Sequence, residues 1–160
     1  MDQPTAANHQ SDDRERVLEA LLGDRTVDII TTGARTGTSR TTEIWTTVIG
    51  GEVFLCGTPN ASLPGVERKP RDWLANLVAN PRFTLRLKST VHADLATEAE
   101  PVSDAGERRR IMSAPATEYY RSQAKSIEHA ARDSPIVRLR FVEGDAWLTE
   151  AVRGAAADRS

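Results

Sequence analysis

The stretch VDIITTGARTGTSRTTEIWTTVIGGEVFLC, residues 27–56, decides the fold. Three of its segments, 27–32 (VDIITT), 41–49 (TTEIWTTVI) and 52–56 (EVFLC), are rich in β-branched and aromatic side chains, which pack well on a pleated surface. Gly50-Gly51 predicts a tight hairpin between the second and third strands, because paired glycines supply the positive φ that such turns require. Residues 33–40 hold two glycines and two arginines among hydroxyls, a loop composition.

Outward from this core, residues 82–88 (RFTLRLK) alternate apolar with polar, so one face should be buried and the other wet. Residues 91–96 and 136–142 (IVRLRFV) supply two further strands. Val17, Leu18, Leu21 and Leu22 give residues 14–22 the spacing of an amphipathic helix, which Gly23 ends. A second helix is expected over 72–79, with Asp72 as its N-cap and a stop before Pro81. Residues 103–131 read as two helices broken around Pro115. The order, with hairpins dominating, predicts a mainly β (α+β) fold, an antiparallel barrel with helical decoration rather than a Rossmann sheet.

The chain has 160 residues, the size of one domain. That domain is expected over 13–151, between flexible tails at 1–12 and 152–160, where residues are small or polar. Hydrophobic residues at 39% and charged residues at 28% are near globular averages and set aside wholesale disorder. No apolar run approaches a bilayer span, so no membrane association is expected. The net charge of −2 gives no global reason to expect nucleic-acid binding. A single cysteine, Cys56, excludes an internal disulfide, and with no secretory signal visible the reading is cytoplasmic.

The usual catalytic signatures are missing: no G-x-S-x-G, H-E-x-x-H, P-loop or G-x-G-x-x-G occurs. His9, His92 and His129 lie far apart, so no metal site is expected. Cys56, inside a strand, reads as a small core residue. The informative segment is residues 31–42 (TTGARTGTSRTT). Glycines let a ligand approach the backbone, and Arg forks with hydroxyls complement phosphate or carboxylate oxygens, so the composition suits an anion cradle. It suits a solvated polar hairpin loop as well. The second segment is KPRDWLANLVANP, residues 69–81. Lys69 and Arg71 cluster before a helix N-terminus, where the dipole already favours negative charge. Trp73 falls on one stripe with Leu77, which fits a core anchor, and Asn76 shares neither apolar stripe cleanly. Tyr119-Tyr120 could roof a flat ligand or pack on the barrel. Arg108-Arg109-Arg110 reads as a solvated helix face.

Together TTGARTGTSR and RDWLANLVANP, with the Gly-Gly hairpin between them, resemble the deazaflavin (coenzyme F420)-dependent nitroreductase family, within the split β-barrel group that also holds pyridoxamine-phosphate-oxidase-like flavoproteins. The resemblance covers residues 27–95, with a weaker continuation to 142. It implies a split barrel of about six strands with flanking helices, and a possible homodimer. It implies an oxidoreductase that passes hydride from the reduced deazaflavin to a small electron acceptor: a nitro compound, quinone or activated alkene. By position, Arg35 and Arg40 with Thr36 and Thr41 would hold the acidic tail and phosphate of the cofactor. Trp73 and Asn76 would line its ring end, with Lys69 or Arg71 adding charge. Tyr119 or Tyr120 could donate a proton to the reduced product.

Two departures bear on the cofactor. The family commonly carries two adjacent basic residues after the first glycine, whereas here the pair is Ala34-Arg35. Thr58, among the implied cofactor-binding residues, stands in a loop that often carries a Lys; Arg68, Lys69 and Arg71 are the cations nearby in sequence. Losing one charge-assisted hydrogen bond weakens binding by roughly 1.5–3 kcal/mol, enough to shift cofactor preference. Flavin mononucleotide is therefore the alternative cofactor, and a non-catalytic domain binding FMN, haem or another flat cofactor is the alternative function.

Overall fold

The computed structural model describes residues 6–59 and 72–159. Its elements are α1 (Ala6–Gly23), β1 (Thr26–Thr32), β2 (Ser39–Ile49), β3 (Glu52–Cys56), α2 (Asp72–Ala79), β4 (Arg82–Leu87), β5 (Ala93–Pro101), α3 (Ala105–Ser113), α4 (Glu118–Ser122), α5 (Ile127–Asp133), β6 (Ile136–Phe141) and α6 (Trp147–Arg159). Short 3₁₀ turns at Pro115–Thr117 and Glu143–Asp145 precede α4 and α6.

The six strands close into a barrel in the order β1-β2-β3-β6-β5-β4, and every neighbouring pair is antiparallel. Alternation along the strands sets the inside. Val27 lies opposite both Ile44 and Leu87, and Ile29 opposite Leu85, so these side chains share the barrel interior. Val27, Ile29, Leu55, Leu85 and Leu87 are all completely buried there, each contributing about 1.5–3 kcal/mol of burial free energy. Trp73 and Leu77 of α2, Leu21 of α1 and Leu148 and Val152 of α6 join the same core.

A second apolar layer lies outside the barrel. Phe54, Cys56 and Ile136 point outward from β3 and β6 and are covered by Ile111, Met112, Tyr120 and Ala130 from α3, α4 and α5. This explains why Val53–Cys56 are buried on both faces, whereas Arg82 and Arg86, outward on β4, are exposed. Gly50 and Gly51 take φ of 56° and 82°, the left-handed backbone expected of the hairpin. Gly51 also admits α6, since a Cβ there would come within 3.0 Å of Arg153 Cα.

Several boundaries differ from the sequence reading. Helix α1 begins at Ala6, inside the segment expected to be a tail, and α6 runs to Arg159 where a second tail was expected. Leu148 and Val152, four residues apart, anchor α6 in the core, and its Ala-rich remainder favours helix. Residues 103–131 form three helices and a 3₁₀ turn rather than two helices, because Pro115 starts a new turn and Ser126 caps α5 through the His129 N–H. Asp72 is the first residue of α2 rather than its cap.

Candidate functional site

The β1–β2 loop is built on its glycines. The Gly33 N–H donates to Thr38 O at 2.7 Å and the Gly37 N–H to Gly33 O at 2.9 Å, and Gly37 takes a φ of 68°. A Cβ on Gly33 would sit 2.6 Å from Thr36 Oγ1 and 3.3 Å from Thr38 O, so a larger residue there requires the Thr36 side chain to shift. The hydroxyls of Thr36 and Thr38 bond each other at 2.7 Å. Helix α2 crosses the same end of the barrel. Asn76, buried, accepts the Ala34 N–H at 2.9 Å and donates to Thr31 Oγ1 at 3.3 Å, while Asn80 Nδ2 donates to Thr32 O at 3.3 Å.

Between loop and helix lies a cavity of about 670 Å³, lined among the described residues by Gly33, Ala34, Arg35, Thr36 and Arg40 from one side and Asp72, Ala75 and Asn76 from the other. The α2 residues follow the i, i+3, i+4 spacing of one helix face. Arg35 and Arg40 are exposed, and neither pairs with a carboxylate among the described residues. The contrast with the sheet is sharp: Arg82, Arg86, Arg138 and Arg140 are all paired with acids. Among the described residues, two guanidinium groups without carboxylate partners stand against one lining carboxylate, Asp72, an excess of positive charge suited to an anion.

Four residues implied for the cofactor are thus gathered here: Arg35, Thr36, Arg40 and Asn76. Two others are not. Arg40 lies opposite the inward-facing Thr31, so the next residue, Thr41, projects from the other face of β2. Trp73 packs into the barrel core with Leu77, one residue away from the cavity face of α2. Thr58 is half-buried two residues beyond β3. Lys69 and Arg71, like Arg68, lie outside the described residues.

Tyr119 and Tyr120 sit towards the opposite end of β2 and differ from one another. Tyr120 is 4% exposed within the outer apolar layer, and burial pushes its phenol up, making it a poorer acid. Tyr119 is 48% exposed, its ring edge-on to Trp45 at 5.5 Å and to Tyr120 at 5.6 Å. Beside them is a second cavity of about 500 Å³, between the end of α1, β2 and the turn before α4, with Arg25, Thr46, Thr47, Glu118 and Tyr119 in its walls. Trp45 and Arg25 were not anticipated from the sequence; only the aromatic residue in an otherwise Thr-rich outer face of β2 signals them.

Two further expectations are settled by burial. The Cys56 thiol is pushed up to about 12 by desolvation, against a smaller opposing pull from the Arg108 guanidinium, so it is a core residue and no nucleophile. Arg108 is not part of a solvated face: it donates to Val102 O at 2.6 Å, to Ala131 O at 2.7 Å and to Ser134 O, tying α3 to α5. Arg109 and Arg110 do stay exposed, paired with Glu128 and Glu107.

The architecture has solved counterparts. A conserved hypothetical protein of Mycobacterium tuberculosis superposes with a TM-score of 0.55 at 18% identity, covering 81% of this chain and 80% of that one. The haem-storage protein HutZ of Vibrio cholerae gives 0.53 at 12% identity, covering 81% and 90%. A structure described as an F420 reductase gives 0.52 at 16% identity, covering 78% and 93%. At these identities the likenesses establish the split-barrel fold alone. No curated protein sequence matches the chain. The profile of one sequence family, described as F420H(2)-dependent quinone reductase, matches residues 5–141. With a match over most of its length, the chain belongs to the F420H(2)-dependent quinone reductase family and is an oxidoreductase whose cofactor is coenzyme F420.

Proposed function

We propose that the 670 Å³ cavity binds the acidic end of reduced coenzyme F420 and that the protein reduces a small quinone, with nitro compounds and activated alkenes as further acceptors. The donor set fits an acidic cofactor: Arg35 and Arg40 carry positive charge with no carboxylate partner among the described residues, and the loop bearing Arg35 is clamped by Asn76. That pair of cations is the observation that carries the reading. When bound, the reduced cofactor supplies hydride, so this chain's task is positioning and electrostatics. Arg35 and Arg40 bind the anionic end; Asn76 holds the loop that presents Arg35; Thr36 braces that loop through Thr38. The acceptor lies against Trp45 and Tyr119, the exposed aromatic pair at the other end of β2, where the Tyr119 hydroxyl is free to give a proton. The reading places the enzyme in the cytoplasm, in keeping with its one buried cysteine. A homodimer is part of the reading through the family resemblance.

Titration of the purified protein with reduced F420 and, in parallel, FMN tests it. Micromolar binding of F420 with weaker binding of FMN supports the reading. Replacing both arginines, Arg35→Ala with Arg40→Ala, should raise the F420 dissociation constant at least about tenfold, since each lost charge-assisted bond costs roughly 1.5–3 kcal/mol. An unchanged constant with an unchanged circular dichroism spectrum removes the cavity from consideration.

A further inference from the structure

We propose that Arg25, remote from the cofactor cavity, contacts the electron acceptor and stabilises the negative charge that hydride gain leaves on it. This rests on the reading that the acceptor lies against Trp45 and Tyr119.

Arg25 belongs to the two-residue link between α1 and β1, and that link is firmly held. The Asp24 N–H donates to Ala20 O at 2.7 Å, and Arg25 O accepts the Thr46 N–H at 2.8 Å. From this fixed root the guanidinium lies over the indole of Trp45, 4.8 Å from the ring centroid, with Tyr119 edge-on to the same ring. Arg25 therefore forms one wall of the 500 Å³ cavity that also exposes Tyr119.

Among the described residues Arg25 forms no ion pair with a carboxylate. Neighbouring Asp24 spends both carboxylate oxygens on Thr90, accepting its N–H at 2.8 Å and its hydroxyl at 2.6 Å. Glu118, on the far wall, is exposed and forms no ion pair with Arg25. Thr47, buried, also belongs to the cavity wall, and its hydroxyl and that of Tyr120 face one another. The cavity thus offers the Tyr119 ring and the Arg25 cation, with the exposed Trp45 ring adjoining both.

A quinone matches that inventory, because its ring is flat and its oxygens accept hydrogen bonds without donating. Hydride addition brings two electrons and one proton to the quinone, the carbonyl electron pair moves onto oxygen, and the product is a hydroquinone monoanion. The cofactor is oxidised in the same step. A guanidinium cannot give up its proton at neutral pH, so Arg25 stabilises the oxyanion while Tyr119 or water supplies the second proton. Seating the ring against Trp45 expels water and strengthens the interaction with the cation.

Calorimetric titration of the cofactor-free protein tests this with two probes of the same ring: 1,4-naphthoquinone, which is neutral, and 2-hydroxy-1,4-naphthoquinone, which is an enolate anion at neutral pH. The wild type should bind the anion about tenfold more tightly than the neutral ring, the preference expected for one charged hydrogen bond. Arg25→Gln should abolish that preference while leaving the neutral affinity within about twofold, and Arg25→Lys should restore part of it. In turnover with 1,4-naphthoquinone, kcat should fall about tenfold in Arg25→Gln with little change in KM. An undiminished preference in a folded Arg25→Gln protein overturns the role of Arg25 and leaves the acceptor site standing. Failure of both probes to bind the wild type overturns the acceptor site itself, and Arg25 with it.

Discussion

Asn76 Oδ1 accepts the Ala34 N–H at 2.9 Å across 42 residues of sequence, so a helix side chain stands in for the backbone partner that a loop amide otherwise lacks. The same amide group donates to Thr31 Oγ1 inside the barrel end. One side chain thereby fixes the loop that carries Arg35 to the helix that forms the opposite wall. Asn76→Ala removes both bonds and should destabilise the protein by about 1–3 kcal/mol, measured by urea unfolding, with weaker F420 binding. Asn76→Asp separates the two effects. Its carboxylate still accepts the Ala34 N–H, so stability should fall less. Its charge opposes an acidic ligand beside Arg35 and Arg40, so F420 affinity should fall about as far as in Asn76→Ala. Equal affinity in Asn76→Asp and wild type would argue that the anion sits elsewhere.

The two adjacent tyrosines should behave differently in turnover. Tyr119→Phe removes the exposed hydroxyl beside Trp45 and should lower kcat by about tenfold, at the low end for general acid catalysis. Tyr120→Phe removes a buried hydroxyl whose acidity is suppressed and should leave kcat unchanged. Steady-state rates with a quinone acceptor decide it. If both single variants and the double variant turn over normally, the proton comes from water.

The barrel could be read from residues 27–56 because local signals agreed there: β-branched runs, paired glycines and a fixed alternation point to one answer. β3 and α2 have the expected bounds, Glu52–Cys56 and Asp72–Ala79, since glycine and proline punctuate them. α6 escaped because Gly154 and the small residues after it look like a tail, and only the Leu148–Val152 pair shows that a core waits for this helix. At the site, loop composition identified Arg35, Thr36 and Arg40, but adjacency in sequence misled at Thr41, which the strand's two-residue period turns to the other face. The same geometry separates Trp73, on the core face of α2, from Asn76, on the cavity face. Arg25 and Trp45 come together only through closure of β1 onto β2, a contact that no spacing in the sequence displays.

The single thiol gives a pH-dependent test of the outer apolar layer. Folding raises the Cys56 pKa from 9.0 to about 12, so the folded state keeps a proton that the unfolded state releases. The contribution is complete below about pH 9 and is lost as pH rises towards 12. Wild-type stability should therefore decline more steeply than that of Cys56→Ala across pH 9 to 11, with urea unfolding at several pH values as the measurement. Thiol reagents should modify native Cys56 only as fast as the protein opens. Parallel slopes for the two proteins, or rapid modification of the native thiol, would show that the helices α3, α4 and α5 do not seal it.

Arg108 should be worth more to the fold than either neighbour in its run. Its guanidinium collects Val102 O, Ala131 O and Ser134 O, carbonyls from the end of β5 and the end of α5, and so fastens the outer helices to the barrel. Arg108→Ala leaves those part-buried acceptors without their donor, and the expected loss is about 3 kcal/mol, since each unmet group costs roughly 1–3 kcal/mol and water repays part of it. Arg108→Lys should recover only a fraction, because an ammonium lacks the planar fork that reaches several carbonyls at once. Arg109→Ala and Arg110→Ala break pairs whose side chains are 55% and 53% exposed on the arginine side, and should change stability by no more than about 0.5 kcal/mol. Urea unfolding of the four variants ranks them. A similar small loss at all three positions would mean that the run is a solvated face after all, and that α3 and α5 are held by their apolar contacts alone.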